Sequence, residues 1–374
     1  MVKVMTLLGT RPELIKMSLV LDECDKHFNH IFVHSGQNYD YELNEVFFKE
    51  MGIRKPDYFL DSARPTPIKA ISAILESFDD ILCKEEPQAL LLYGDTNTTL
   101  AVIAAKRRKI PVFHMEAGNR CFDQRVPEEL NRKVVDHLSD INLVLTEHAR
   151  RYLISEGITP ETIMKTGSHM GEVLQHYMPQ INNSKILGRE GLAPGEFFLV
   201  SVHREENVDS EERLRGFLAS LELLAQKYQK PIIVSTHPRT RARLDEITEF
   251  PASSLIVFSK PFGFFDYIKL QMSAYCTLSD SGTITEESSI LDTPAITLRN
   301  SIERPEGMDV GTLVMSGLEP ERVLAAVKLV VSQRKQGERL ASLAEGYLPE
   351  PVSKKVVRIV LSYIDYVNER IWLK

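Results

Sequence analysis

Six times along the 374-residue chain a short apolar run ends in a tight cluster of glycine, carboxylate, histidine and arginine. GTRPE follows Val2–Leu8, SGQNYD follows Ile31–His34, YGDTNTT follows Ala89–Leu92, HMEAGNR follows Ile110–Phe113, VHREEN follows Phe197–Val200, and SDSGTITEES follows Ala274–Leu278. In an open parallel α/β sheet, ligands bind in the crevice beyond the carboxyl ends of the strands. The pattern therefore predicts a composite site assembled from many strand ends.

The runs alternate with longer helical segments, the βαβ rhythm of a parallel, helix-covered sheet. Strands are predicted at Lys3–Leu8, His30–His34, Ala89–Tyr93, Val112–Met115 and Ile141–Leu145, then at Phe197–Val202, Ile232–Thr236, Leu255–Phe258, Cys276–Ser279 and Ala295–Leu298. Between them the rhythm lapses. Gly171–Pro194 carries Met178-Pro179 and Asn182-Asn183-Ser184 and runs into Pro194-Gly195, which suits a connecting helix and linker. A chain of this length outgrows one hydrophobic core, so two domains of about 170–200 residues are expected. Pro351–Trp372 reads as an amphipathic helix with Val356, Val357, Ile359, Val360, Tyr363 and Ile364 on its apolar side.

With 43% hydrophobic and 26% charged residues the composition is that of a soluble enzyme. No apolar stretch reaches the ~20 residues of a membrane helix. MVKVMTLLGT reads as a buried first strand rather than a signal peptide, which places the protein in the cytoplasm. Cys24, Cys83, Cys121 and Cys276 stand far apart, without CxxC or zinc-ligand spacing, so neither a metal nor a disulfide framework is expected. A net charge of −7 excludes a general nucleic-acid surface. Lys106–Lys109 reads as a solvated helix end.

Each cluster has its own chemistry. Pro12 suits a first helical turn, and the backbone N–H groups there, beside Arg11, are placed to attract an anion. GTRPE matches neither the dinucleotide fingerprint nor the P-loop, so NAD and ATP are not indicated. Ser279–Glu287 again joins a strand to a helix, with small residues that admit a phosphate and acidic residues that reach ribose hydroxyls; ordinary helix capping accounts for the same residues. Asp95, Glu116 and Glu128-Glu129, interspersed with Arg120, Arg125 and Arg132, are candidates for proton transfer, with surface salt bridges as the alternative. Glu116 lies in an apolar-flanked run where an unpaired charge is expensive. His203 and His237 close equivalent strands and lean toward a site.

Taken together, GTRPE, YGDTNTT, HMEAGNR, PEELNR, VHREEN, DSGTITEES and ERPEG at 303–307 resemble the non-hydrolysing UDP-N-acetylglucosamine 2-epimerase family over nearly the whole chain. Gly118–Glu129 looks most like the branch that makes UDP-N-acetyl-L-fucosamine from its L-talo epimer in bacterial surface-polysaccharide synthesis. The resemblance implies two Rossmann-like α/β domains of the GT-B type facing across a cleft. One comprises 1–170 plus a returning helix at 352–374; the other, 171–351, binds UDP. It implies a homodimer, a UDP-sugar substrate and no nicotinamide or other cofactor. Asp95, Glu116 and Glu128 match the family's acid/base carboxylates and His203 its histidine near the diphosphate. Arg11, Ser281, Gly282, Thr283 and Glu287 match UDP contacts. The chain departs from the family at Thr283-Ile284-Thr285, and at Gln37-Asn38-Tyr39-Asp40, a segment associated with an allosteric substrate site; Gln37 and His237 persist. The first alternative is a UDP-N-acetylglucosamine 2-epimerase giving UDP-N-acetylmannosamine; a GT-B glycosyltransferase and a non-catalytic nucleotide-sugar sensor stand behind it. The sensor would need the UDP contacts without the three carboxylates.

Overall fold

The apolar runs become two all-parallel sheets. The structure, a computed structural model, describes residues 1–36, 48–247, 253–335 and 337–374; Gln37, Asn38, Tyr39 and Asp40 lie outside the described residues. The chain divides into two compact units, Met1–Val173 with Leu348–Lys374, and Leu174–Tyr347. The divisions thus fall at 173/174 and 347/348.

In the first unit the strands are β1 (Lys3–Leu8), β2 (Asn29–His34), β3 (Tyr58–Phe59), β4 (Ala89–Tyr93), β5 (Val112–Ala117), β6 (Ile141–Val144) and β7 (Ile163–Lys165), in the order β3-β2-β1-β4-β5-β6-β7. The second unit holds β8 (Phe198–Ser201), β9 (Ile232–Ser235), β10 (Ile256–Ser259), β11 (Cys276–Ser279), β12 (Ala295–Thr297) and β13 (Val314–Met315), in the order β10-β9-β8-β11-β12-β13. Both orders reverse once, between β1 and β4 and between β8 and β11. A ligand crevice forms at such a reversal. Every residue of β4 is buried, as expected of a parallel strand covered on both faces. The three strands absent from the sequence reading, β3, β7 and β13, have two or three residues each, too short for any periodicity to register.

Met5, Leu7, Leu90, Leu92 and Val112 meet Ile74, Phe78 and Leu82 of the helix Pro67–Glu85 in the first core. Phe198, Val200, Cys276 and Leu278 meet Phe217, Leu221 and Leu224 of the helix Glu211–Tyr228 in the second. Fully burying one such side chain contributes about 1.5–3 kcal/mol. The helix Met170–Asn183 runs through the first division, with Pro179 inside it. Val352–Val367 forms the expected C-terminal helix, packed on the helix Arg11–His27, and ends in a π-turn at Asn368–Trp372. Among the described residues no helix is long and apolar enough to cross a membrane.

Candidate active site

In the first unit, β5 delivers Glu116 by an irregularity. The β5–β6 register skips between Met115 and Ala117, and Glu116 sits at φ +64°, a left-handed conformation that costs a side chain of this kind about 1–3 kcal/mol. The skip re-aims the carboxylate toward charged and polar partners. Lys16 Nζ, one turn into the helix Arg11–His27, donates to Glu116 Oε2 at 2.9 Å, and the Tyr93 hydroxyl at the end of β4 donates to the same oxygen. Asn119 Nδ2 donates to Oε1 at 3.2 Å. Lys16 and Glu116 are both largely withdrawn from water, so either one without the other would be a costly buried charge.

Asp95 follows β4 across the sheet reversal. Its Oδ2 accepts from Arg132 Nε at 2.8 Å, and Asn131 Nδ2 donates to its carbonyl at 2.9 Å. Arg132 also donates from Nη1 to Glu129 Oε2 at 2.9 Å. Glu128 and Glu129 lie in the first turn of the helix Pro127–Leu138, Glu128 half-buried and Glu129 buried. Glu129 accepts from the amides of Cys121 and Phe122, both at 3.1 Å, and from Cys121 Sγ at 3.3 Å. Burial works to raise the Glu129 carboxyl, yet the Cys121 amide and Arg132 hold it below the ordinary carboxylate range. This clamp leaves Phe122 at φ +56° and 69% exposed, its ring edge-on to Tyr152 at 5.1 Å.

A buried polar network supports these strand ends. Asp136 accepts from Arg120 Nη1 at 2.7 Å and from the Gly118 amide at 3.1 Å, and lies 2.8 Å from His114 Nδ1. His114 Nε2 donates to the Gly94 carbonyl at 2.7 Å. The residues flanking Asp95 and Glu116 are thereby tied together. Arg120, read from sequence among the site arginines, is fully buried in this network and paired with Glu156 as well.

Arg11 is half-buried at the opening of its helix, where burial lowers its pKa against the pull of Glu50. The amides expected to attract an anion there are already engaged. Glu13 Oε2 accepts from Gly9 N at 2.6 Å and Thr10 N at 3.1 Å, so the turn supplies its own anion.

In the second unit the loops after β8 and β11 meet at the other reversal. Asp280, fully buried, accepts from His203 N at 3.1 Å, Arg204 N at 3.0 Å and Asn207 Nδ2 at 3.0 Å, and lies 3.3 Å from His203 Nδ1. The imidazole is half-exposed, 6.0 Å between ring centres from His237, and burial pushes it below its ordinary pKa. Ser281 Oγ lies 3.0 Å from Thr283 Oγ1, which closes the turn. A Cβ on Gly282 would sit 2.7 Å from Glu303 Oε2, which pairs with Arg204 Nη2 at 3.2 Å; Arg299 Nη1 holds Glu303 Oε1 at 2.9 Å. Glu286 and Glu287 are buried, with Arg304 Nη2 3.0 Å from Glu286 Oε2. Tyr267 shares hydrogen bonds with Ser201 and Ser279, and burial, then Glu287, raises its hydroxyl pKa.

The structure thus gathers Asp95 and Glu116 with Lys16, Tyr93 and Arg132 in one unit, and His203 with Ser281, Gly282 and Glu303 in the other. Sequence reasoning missed Lys16, Tyr93, Asp280 and Glu303. The only signal for Asp280 and Glu303 was their place in DSG and ERPEG; nothing local marks Lys16, and Tyr93 read as the end of an apolar strand.

The family model for UDP-N-acetylglucosamine 2-epimerase matches residues 22–361. The solved structure of UDP-N-acetylglucosamine 2-epimerase from Rickettsia bellii is 56% identical over 100% of both chains, with a TM-score of 0.94. The structure of the Methanocaldococcus jannaschii UDP-GlcNAc 2-epimerase in complex with UDP-GlcNAc and UDP is 31% identical, covers 96% of this chain and 99% of that one, and gives a TM-score of 0.88. UDP-2,3-diacetamido-2,3-dideoxy-D-glucuronate 2-epimerase of Pseudomonas aeruginosa is 33% identical over 333 residues, 87% of this chain and 91% of its own. With its two parallel-sheet, Rossmann-like domains of the GT-B type and these matches along nearly its whole length, the chain belongs to the UDP-N-acetylglucosamine 2-epimerase family and is an isomerase.

Proposed function

We propose that this chain inverts C2 of a UDP-2-acetamido sugar by elimination and re-addition of UDP. The observation that carries the reading is the pairing of Asp95 and Glu116 with buried cations at one sheet reversal. In the first step a carboxylate removes the C2 proton, the C1–O bond breaks with its electron pair leaving on UDP, and a C1=C2 double bond forms. UDP then returns to C1 while a proton is delivered to the opposite face of C2. No net oxidation occurs. The C2 proton is weakly acidic, so the base acts together with charge stabilisation of departing UDP. Asp95, Glu116 and Glu128 take the proton-transfer roles, and His203, Arg11, Ser281, Gly282, Thr283 and Glu287 hold the nucleotide. The same family reading carries a homodimer, which sedimentation would test.

The UDP contacts have a separate test. Glu287→Ala removes a hydroxyl acceptor, and Gly282→Ala drives a methyl group into the Glu303 carboxylate that pairs with Arg204. Each is expected to weaken UDP binding about tenfold, the order of one charge-assisted hydrogen bond. Unchanged calorimetric affinity in both variants would reject the assigned pocket.

For the sugar, we read the 6-deoxy L-talo to L-fuco pair as preferred, on the likeness of Gly118–Glu129 to that branch and on exposed Phe122 beside the carboxylates. Its neighbour Cys121 adds nothing to this surface, because its thiol is buried against Glu129. A methyl group against an aromatic ring is favoured over a hydroxyl left without a partner, by about 1–3 kcal/mol. The second reading, UDP-N-acetylglucosamine to UDP-N-acetylmannosamine, is favoured by the name of the Rickettsia bellii relative. A kcat/KM at least tenfold higher for the 6-deoxy substrate on one preparation is expected; an equal or lower value would establish the second reading.

A further inference from the structure

Glu13 is a buried ionisable group for which the proposed reaction has no use. It occupies the first turn of the helix Arg11–His27, where a carboxylate commonly reaches back to the cap amides. Its Oε2 does so, accepting from Gly9 N and Thr10 N. Its Oε1 goes elsewhere, accepting from Thr96 Oγ1 at 2.8 Å, a residue 83 positions along the chain and on the loop after β4. A capping role requires neither this third donor from another strand end nor burial.

One carboxylate therefore ties the turn that carries Arg11 to the loop that carries Asp95. The charged group that acts on it is Asp95, from that same loop; Arg11 and Lys16 share its helix. Asp95, a like charge, is paired with Arg132 at 2.8 Å, and Lys16 is paired with Glu116 at 2.9 Å.

We propose that Glu13 is a positioning residue for the 2-epimerase reaction. Its ionised carboxylate holds the Arg11 turn and the Asp95 loop in register, and protonation slackens that strut and lowers turnover. The inference rests on the function proposed above. Burial pushes the Glu13 carboxyl up to about 7; the bonds from Gly9, Thr96 and Thr10 oppose the rise and the Asp95 charge adds to it. Burial pushes His203 and His237 below their ordinary range, so a step near pH 7 belongs to neither.

The test compares wild type with Glu13→Gln, which keeps the size of the side chain and an acceptor for the two amides. Between pH 6 and 8 the wild-type kcat on a UDP-2-acetamido sugar is expected to rise about tenfold with a midpoint near 7, since charge-assisted bonds hold the strut only when Glu13 is ionised. Glu13→Gln is expected to be flat over that range, at the level of the wild-type acid limb. A variant that keeps the step, or matches wild type at pH 8, would overturn the proposal.

A second readout does not depend on turnover. The folded pKa near 7 lies above the ordinary value of 4.5, so this group's stabilising contribution is complete below pH 4.5 and lost as pH rises through 7. Wild type should therefore lose melting temperature relative to Glu13→Gln between pH 5 and 8, and a constant difference would count against an ionising strut. If wild type turned over no UDP-sugar, the reaction assigned above would fail while the melting comparison still judged Glu13.

Discussion

Asp95→Asn, Glu116→Gln and Glu128→Gln are each expected to lower turnover about 10²-fold or more with the fold intact, because each removes a proton donor or acceptor at nearly constant shape. Glu116 should show the largest loss. It alone is delivered by a strained left-handed backbone and a register skip, and it gathers Lys16, Tyr93 and Asn119 around one carboxylate. Strain of that kind persists where surrounding structure enforces it, which is the signature of a functional position. Circular dichroism and UDP affinity should match wild type in all three variants. Near-normal turnover in all three would remove the carboxylate cluster from the chemistry.

The largest stability effect is expected at Arg120→Met. This guanidinium is fully buried, and its loss would leave the buried Asp136 carboxylate with His114 and the Gly118 amide but without its guanidinium partner. Burial works to raise Asp136, but His114 and then Arg120 hold it below the ordinary carboxylate range, and the Arg120 share of that preference is lost with the cation. Removing one member of such a pair costs about 3–5 kcal/mol. Urea unfolding followed by fluorescence would measure it, and a loss below about 1 kcal/mol would show that Arg120 is dispensable to the network. Because Asp136 and His114 also tie Gly118 to Gly94, the variant should be less active even at temperatures where it remains folded.

The parallel sheets were legible because their strands are uninterrupted apolar runs closed by polar clusters, and β1, β4 and β11 begin and end where those runs do. Ser281, Gly282 and Glu116 were legible for the same reason, as members of those clusters rather than of the solvated faces where charge is cheap. What stayed hidden was pairing at long range. Lys16 and Glu116 are 100 residues apart, and nothing local distinguishes Lys16 from any other helix lysine. Glu13 looks like an ordinary cap until Thr96 arrives from another strand end.

The central claim is proton exchange at C2 with reversible loss of UDP. Incubation of the purified protein with UDP-2-acetamido sugars in D2O, followed by NMR at C2, tests it most directly. The account predicts that both C2 epimers appear and that deuterium enters C2 at a rate comparable to epimerisation, with UDP conserved at equilibrium. Epimers formed without deuterium at C2, or sugar passed to an acceptor with C2 protonated throughout, would contradict it.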